Sequence, residues 1–420
     1  MKNNYLTFIF LIFCGNIIFA QSLTLPECYR LAKENYPLAK QHDLIAKSSD
    51  YTLENLAKGY LPQATLNAQA TYQSAVTEMP IKLPGVSTDP INKDQYKVYV
   101  DVTQNIYDGG MIKQQQNQQK ANTELQQKQL EVQLYQLKDR VNQLFFGILS
   151  LDEQLKINAL IKSDIQYGLN KIQAQYKNGT ALKSNVNILK AEILKNEQRQ
   201  IELQSIRKAS LLMLGELIHQ SLSEATILIK PAEEELVSDE IRRPELTMFE
   251  AQSTILNSQD ELLKAKNRPK VSLFAQGGYG RPALNMLNND FELYYMGGVR
   301  LSFPLSGFYT RKNDQNLIEI NRQNIEIQKE NFVFNTNLTA TQQREDWNKT
   351  QQLIQTDDAI IALRNQNKII AQNQLDNGVI TANDYMKEVE AENIARQNKS
   401  LHQIQALMAS YNLKNTLGLD

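Results

Sequence analysis

The hydrophobic period of this chain changes twice in its first half, and the same changes recur in its second half. Residues 24–59 carry apolar positions at helical spacing, with Ser22 or Thr24 placed to cap the start and Gly59 near the end. From Ala64 the period falls to two. Ala64, Leu66, Ala68, Ala70 and Tyr72 share one face, while Gln63, Thr65, Asn67, Gln69 and Thr71 share the other. A loop rich in Pro and Gly follows at residues 77–93 (Pro80, Pro84, Gly85, Pro90). Alternation then resumes, with Tyr96, Val98, Val100 and Val102 against Lys97, Tyr99, Asp101 and Thr103, and closes at Tyr107-Asp108-Gly109-Gly110. The second half predicts two more strands. Val271, Leu273, Ala275 and Tyr279 alternate with Lys270, Ser272 and Gln276. After the loop near Pro282–Asp290, Phe291, Leu293, Tyr295, Val299, Leu301 and Phe303 alternate with Glu292, Tyr294, Arg300 and Ser302.

Each strand pair is followed by a long helical tract. From Leu130 the apolar positions run Leu134, Leu137, Val141, Leu144, Ile148, Leu151 and Leu155, the alternating four-and-three spacing of a coiled-coil seam. Residues 111–177 contain no proline, and as one helix they would reach about 100 Å. Asn178-Gly179 is a turn signal, and a second helix is expected from about Ser184 to Leu217. The later copy predicts a helix from about Lys312 to Asp376, a turn at Asn377-Gly378 and a helix from Asn383 to Leu417.

The two halves are copies of one unit. Residues 37–72 lie over residues 244–279 without a gap, matching Pro37 to Pro244, Glu54 to Glu261, Pro62 to Pro269, Leu66 to Leu273 and Tyr72 to Tyr279. The two Asn-Gly turns repeat at a similar offset. The expected organisation is a signal peptide over 1–20, a first repeat over 21–218, a connector over 219–243 and a second repeat over 244–420. In the connector, Ala225–Ile229 reads as a short strand and Glu233–Glu235 as an acidic run.

Composition narrows the class. Lys2 followed by the apolar stretch Leu6–Phe19 and the small residue Ala20 reads as a secretory signal cleaved before Gln21. A rival reading is lipidation at Cys14 after the degenerate lipobox Leu11-Ile12-Phe13. The mature chain then keeps one cysteine, Cys28, so it has no internal disulfide, and Cys28 reads as a buried small residue of the first helix. A formal net charge of −1 with interspersed signs argues against a nucleic-acid partner. No later segment has eighteen consecutive apolar residues, so a second helical span is not expected. Strands of about 10–14 residues can cross a bilayer when tilted. Tyr60, Tyr72, Tyr96, Tyr107, Phe291, Phe303, Phe308 and Tyr309 cluster near strand ends, as interfacial girdles do. Four strands cannot close a barrel, so several chains must contribute to one. If the apolar faces meet lipid, Lys97, Asp101, Glu292 and Arg300 face the barrel lumen. His42, His219 and His402 are dispersed and suggest no metal site, no catalytic constellation is evident, and no cofactor or enzyme activity is expected. Gly277-Gly278-Tyr279-Gly280 is not a phosphate loop, because it sits in a strand. Its glycines suit strand bending or close packing.

Four motifs, in this order and within the duplication, resemble the TolC-like outer-membrane efflux protein family. They are Leu25-Pro26-Glu27-Cys28 leading into Leu31–Pro37, Tyr107-Asp108-Gly109-Gly110, Arg243-Pro244-Glu245-Leu246 and Phe303-Pro304-Leu305. The resemblance implies a mainly α fold with a membrane β-barrel. Coiled-coil hairpins would form a periplasmic tunnel, and four strands per chain would build a twelve-stranded barrel in a homotrimer. It also implies a periplasmic adaptor (membrane fusion) protein and an inner-membrane pump or secretion transporter as partners, with outer-membrane lipid around the barrel. The helix turns become functional tips: Asn178, Gly179, Thr180, Asn377, Gly378 and Val379 would contact the adaptor. Asp384 matches the family's first acidic aperture position. The second reads Lys387, beside Glu388, and Asn185 stands near the aperture on the other hairpin. Helix capping is the competing role for Asp384. The function implied is a passive exit duct for small-molecule efflux. The alternatives are the exit duct of one-step (type I) protein secretion and, in another class, a periplasmic coiled-coil adaptor or structural protein.

Overall fold

The computed structural model describes residues 22–77, 91–233 and 238–419. The signal stretch 1–20 with Cys14, the loop residues Pro80, Pro84, Gly85 and Pro90, and Glu234–Glu235 lie outside the described residues. The elements, in order, are β1 (Ser22–Leu23), α1 (Leu25–Asn35), α2 (Gln41–Ala57), β2 (Gln63–Tyr72), β3 (Asp94–Tyr107), α3 (Met111–Tyr135), α4 (Leu137–Lys177), α5 (Lys183–Ile218), β4 (Ile227–Leu228), α6 (Pro244–Lys266), β5 (Lys270–Arg281), β6 (Glu292–Ser302), α7 (Gly307–Asp376) and α8 (Ala382–Leu417). The chain divides into two compact units. One is drawn from Met1–Ala39, Leu134–Arg242 and Thr336–Asp420, the other from Lys40–Gln133 and Arg243–Asn335.

The second of these units holds a single antiparallel sheet in the order β2-β3-β5-β6. Its register keeps the two-residue period in phase across all four strands. Leu66 pairs with Val100, Val98 with Tyr279, and Tyr279 with Leu293. One face is therefore apolar apart from Gln104 and Arg281, and much of it is exposed: Leu66, Leu293, Tyr295 and Leu301 are each more than 70% accessible. The expectation of four amphipathic strands holds, and the strand boundaries fall within two or three residues of it. A register shift between Asn105 and Tyr107 adds what alternation did not suggest. The bulge turns Tyr107 onto the apolar face opposite Val271, which strict alternation would have denied it. The Gly277–Gly280 run packs closely. A Cβ at Gly278 would lie 2.5 Å from Tyr99 Cβ and 2.6 Å from the Val98 carbonyl, so β3 and β5 can meet there only without a side chain. β2 and β6 end the sheet on unpaired edges.

The Tyr-Asp-Gly-Gly motif is a strand-to-helix junction. Asp108 is buried, and its carboxylate accepts from the Gly110 amide at 2.8 Å and from the Ile112 amide at 2.7 Å, satisfying donors at the start of α3. Gly109 and Gly110 both adopt positive φ, 75° and 82°, which glycine tolerates without Cβ strain.

The other unit is helical except for one parallel pair, in which Ser22 faces Ile227 and Leu23 faces Leu228. The expected connector strand is thus real, and its partner is the stretch before α1. Thr24 caps α1 by accepting from the Glu27 amide. The single helix expected over 24–59 instead breaks after Asn35, where Tyr36 is extended ahead of Pro37, as a residue before proline tends to be. The expected 111–177 helix is interrupted at Gln136. Leu25, Cys28, Leu31 and Ala32 of α1 pack with Val141, Phe145, Phe146 and Ile148 of α4 and with Leu211, Leu214 and Ile218 of α5. Burial pushes the Cys28 thiol up to about 12, so it stays protonated.

The seam of the first hairpin contains a reciprocal amide pair. Asn158 on α4 and Asn196 on α5 are both buried, and each donates its side-chain amide to the other's carbonyl groups, at distances down to 2.9 Å. A buried polar pair of this kind favours one register over its neighbours. At the matching place in the second hairpin, 199 residues later, stands Asp357, whose carboxylate lies 2.7 Å from His402 Nδ1 on α8. Asn158→Ala strands the Asn196 amide in the core and is expected to cost about 1–3 kcal/mol in denaturant unfolding. The Asn158→Ala/Asn196→Ala double variant should lose less than the sum of the single losses. Strictly additive losses would show that the two amides act independently.

Candidate functional site

The two helix hairpins end in turns of identical construction. In the first, the Asn178 amide donates to Ala174, Gly179 to Tyr176 at 3.0 Å, and Thr180 to Gln175 at 2.9 Å. In the second, Asn377 donates to Asn373, Gly378 to Leu375 at 3.0 Å, and Val379 to Gln374 at 2.8 Å. These are Schellman closures, and each needs a left-handed residue after the helix. Gly179 and Gly378 supply it at φ 76° and 70°. The side chains of Asn178, Thr180, Asn377 and Val379 are exposed, so both turns present their tips to solvent.

One apolar cluster brings the tips together. Ile165, Leu169 and Ile172 of α4, Val186 and Leu189 of α5, Ala371 and Leu375 of α7, and Ala382, Tyr385 and Val389 of α8 are its buried members. Tyr385 is 1% accessible. Its ring fits because residue 168 is glycine: a Cβ there would stand 2.9 Å from Tyr385 Cε1. The Tyr385 hydroxyl donates to the Asp164 backbone carbonyl, and burial pushes its pKa up.

Beside that cluster sits an ion network that the sequence did not reveal. Glu392 is buried on α8. Lys368 of α7 reaches it at 2.6 Å and also reaches Asp164 of α4 at 3.1 Å, and Arg396 reaches Glu392 from one turn away at 2.6 Å. Burial opposes the charge on Glu392. The hydrogen bonds from Lys368 and Arg396 outweigh it and hold the carboxyl below its ordinary value. Burial likewise opposes the Lys368 charge, and its carboxylate partners raise its pKa overall. No spacing rule could have found this set, because its members lie on three helices and more than two hundred residues separate Asp164 from Glu392. The i,i+4 spacing of Glu392 and Arg396 was the only part of it legible along the chain.

Asp384 forms a capping box with Thr381. The Thr381 hydroxyl accepts from the Asp384 amide at 3.3 Å, and the Asp384 carboxylate receives the Thr381 hydroxyl at 2.7 Å and the Thr381 amide at 3.4 Å. The bonds from Thr381, then Lys387 at 3.4 Å, hold the Asp384 carboxyl below its ordinary value. Lys387 is exposed. Glu388 is half-buried, with Oε2 unpartnered. Asn185 is half-buried on the first turn of α5, where its amide donates to the Leu182 carbonyl. The structure therefore joins Asp384 to Lys387 and leaves Glu388 and Asn185 outside that pair.

In the sheet unit, Lys97, Asp101, Glu292 and Arg300 all stand on the face opposite the apolar one. Lys97 and Glu292 flank Gly280 in one cross-strand row, Asp101 pairs with Gln276, and Arg300 pairs with Ser272. That face is not uniformly polar, as the alternation placing Tyr99 and Tyr294 there already implies. Tyr99, Phe274 and Tyr294 share it, and the Arg300 guanidinium lies 4.8 Å from the Phe274 ring centroid.

Residues 30–218 match the family described as Outer membrane efflux protein. No curated protein sequence matches the chain significantly. Among solved structures, the outer membrane protein VceC from Vibrio cholerae is similar at 15% identity and a TM-score of 0.67, covering 94% of this chain and 96% of its own. The Campylobacter jejuni CmeC outer membrane channel is similar at 13% identity and 0.65, covering 94% and 85%. The Neisseria gonorrhoeae MtrE outer membrane channel is similar at 13% identity and 0.64, covering 94% and 89%. At these identities the likeness establishes the fold over nearly the whole length of the chain.

Lys368→Met removes one of the cations from buried Glu392 and is expected to cost about 3 kcal/mol, read as a lowered thermal midpoint. Glu392 also predicts a pH dependence. Its folded-state pKa lies below the ordinary 4.5, so its contribution is complete above that value and disappears as pH falls through the folded pKa. Glu392→Gln should flatten the fall in thermal midpoint over that acid window. An unchanged slope would show that this carboxylate carries no linked stability.

Proposed function

We propose that this chain, an outer membrane efflux protein by its family match and by its fold, is the outer-membrane exit duct of an efflux system, a passive conduit for small molecules. The observation that carries this reading is the sheet: one continuous exposed apolar face, aromatic residues at both ends of the strands, and two unpaired edges. Hydrocarbon cannot hydrogen-bond an open strand edge, so a sheet of this kind is stable in a bilayer only when closed by other copies. Three copies of four strands make a twelve-stranded barrel, and the homotrimer is the assembly this reading adopts. The face carrying Lys97, Asp101, Glu292 and Arg300 then lines the lumen, and the apolar face meets lipid.

The helical unit is read as the periplasmic tunnel. Its tips, with exposed Val379 at one turn and exposed Leu182 just after the other, are the surfaces offered to a periplasmic adaptor serving an inner-membrane pump. Asp384 takes two roles in this reading, capping α8 and placing a carboxylate at the aperture. Lys387 sits against that carboxylate, so an aperture ring built from this pair is closer to neutral than one of two acids.

Single-channel recording of the purified protein in planar bilayers, with its mass measured in detergent, tests the reading. Discrete pores from particles of trimer mass are expected. A monomer that neither inserts nor conducts would overturn the assignment. Asp384→Ala is expected to lower cation preference and to lower the thermal midpoint slightly, because the capping box loses its N3 carboxylate while the Thr381 cap remains.

A further inference from the structure

We infer that the sheet end nearest the helices carries a binding belt for the headgroups of anionic phospholipids, formed by Lys113, Lys266, Arg268, Arg311 and Lys312. The inference rests on the reading of the sheet as part of an outer-membrane barrel. Five segments meet at this end. Tyr107 faces Val271, Lys270 faces Ser302, Arg268 donates to the Gly109 carbonyl, and Gly307 packs against Asn267 where α7 begins. An aromatic and aliphatic band surrounds the junction: Tyr60, Tyr107, Phe303, Leu305, Phe308 and Tyr309 are all exposed, Tyr309 to 84%.

The basic residues lie among and just beyond that band. Lys312 is three residues after Tyr309 and Arg311 three after Phe308, so each shares a helical face with an interfacial aromatic. Long basic side chains beside aromatic girdles reach into the headgroup layer while their stems cover apolar surface. The chain itself does not neutralise them. Nearby Lys58 and Lys264 have acid partners in Glu54, Asp260 and Glu261, but the five belt residues form no ion pair among the described residues. The two remaining acids at the junction are engaged: Asp108 caps α3, and Asp314 accepts from the Thr310 hydroxyl at 2.9 Å. Lys264 and Lys266 suit the C-terminal dipole of α6. Lys113, in the first turn of α3, stands at a helix N-terminus, where positive charge is unfavourable, and Arg311 and Lys312 lie in the second turn of α7. Local helix energetics therefore disfavours Lys113 and does not favour Arg311 or Lys312, and an external anion at the level of the aromatic band offsets the uncompensated charge. Lys270 faces the polar side of the sheet and is not part of the belt.

The occupant is an anionic phospholipid rather than a zwitterionic one, because the excess is of net positive charge rather than of hydrogen-bond donors alone. The test is native mass spectrometry of the full-length protein, released from mixed micelles of phosphatidylglycerol and phosphatidylcholine with matched acyl chains. Phosphatidylglycerol should be retained several-fold over phosphatidylcholine, and that preference should fall as salt is raised before release. The Lys113→Gln/Arg311→Gln/Lys312→Gln variant should lose the preference while keeping its channel conductance. Equal retention of the two lipids, or a preference unaffected by salt, would overturn the belt without touching the barrel. Retention of neither lipid, together with absent conductance, would bring down the barrel reading as well. The salt dependence requires no substitution, so the result does not hang on the variant folding.

Discussion

A strand exposed to hydrocarbon must have every backbone amide and carbonyl paired, because lipid offers no substitute for water. The rest of this structure follows from that constraint. The register of β2-β3-β5-β6 keeps the aliphatic rows of all four strands on one face, and the glycines of β5 let β3 approach closely enough to complete the ladder. The two edge strands remain a demand the single chain cannot meet, and the proposed homotrimer answers it. The junctions at the sheet's end obey the same rule. Asp108 spends both carboxylate oxygens on amides that would otherwise be orphaned at the start of α3.

The helical unit satisfies a different demand. Long hairpins in water gain little from local propensity, and their alignment has to come from packing and from a few buried polar groups. The duplication shows how such groups diverge while geometry is kept. Both turns close with the same backbone pattern and a left-handed glycine. Within the hairpins the amide pair Asn158–Asn196 is matched by an acid–imidazole pair, Asp357–His402, in which Asp357 holds the place equivalent to Asn158 and His402 stands at a different one. The second hairpin also gained the Thr381–Asp384 capping box, whereas Leu182 at the equivalent place makes no side-chain cap. The chemical burden of the tips thus rests on the second repeat, which also contributes Lys368, Glu392, Arg396 and Tyr385.

Much of the architecture was legible in the sequence because it depends on short-range periods. Alternation marked four strands and their faces, Asn-Gly marked both turns, and the four-and-three spacing from Leu130 to Leu155 marked a seam whose members are buried or half-buried. The errors were of two physical kinds. A helix expected through residue 136 is interrupted there, and one expected through Tyr36 stops before Pro37, because local geometry outweighs a continuing apolar pattern. The face of Lys97 and Arg300 also carries Phe274, which the alternation reading left out, and Tyr99, Phe274 and Tyr294 each stand in a row beside a strand glycine, a pairing visible only once register is known.

The sequence alone determined the number and amphipathicity of the strands and the two hairpin turns, because each of these is written in residue spacing. Only the tertiary structure decided which distant groups meet. Lys368 bridging Asp164 and Glu392, Gly168 making room for Tyr385, and the bulge that turns Tyr107 toward the apolar face all depend on how separate elements pack. Packing is a property of three-dimensional neighbours, and neither periodicity nor spacing along the chain records which neighbours those will be.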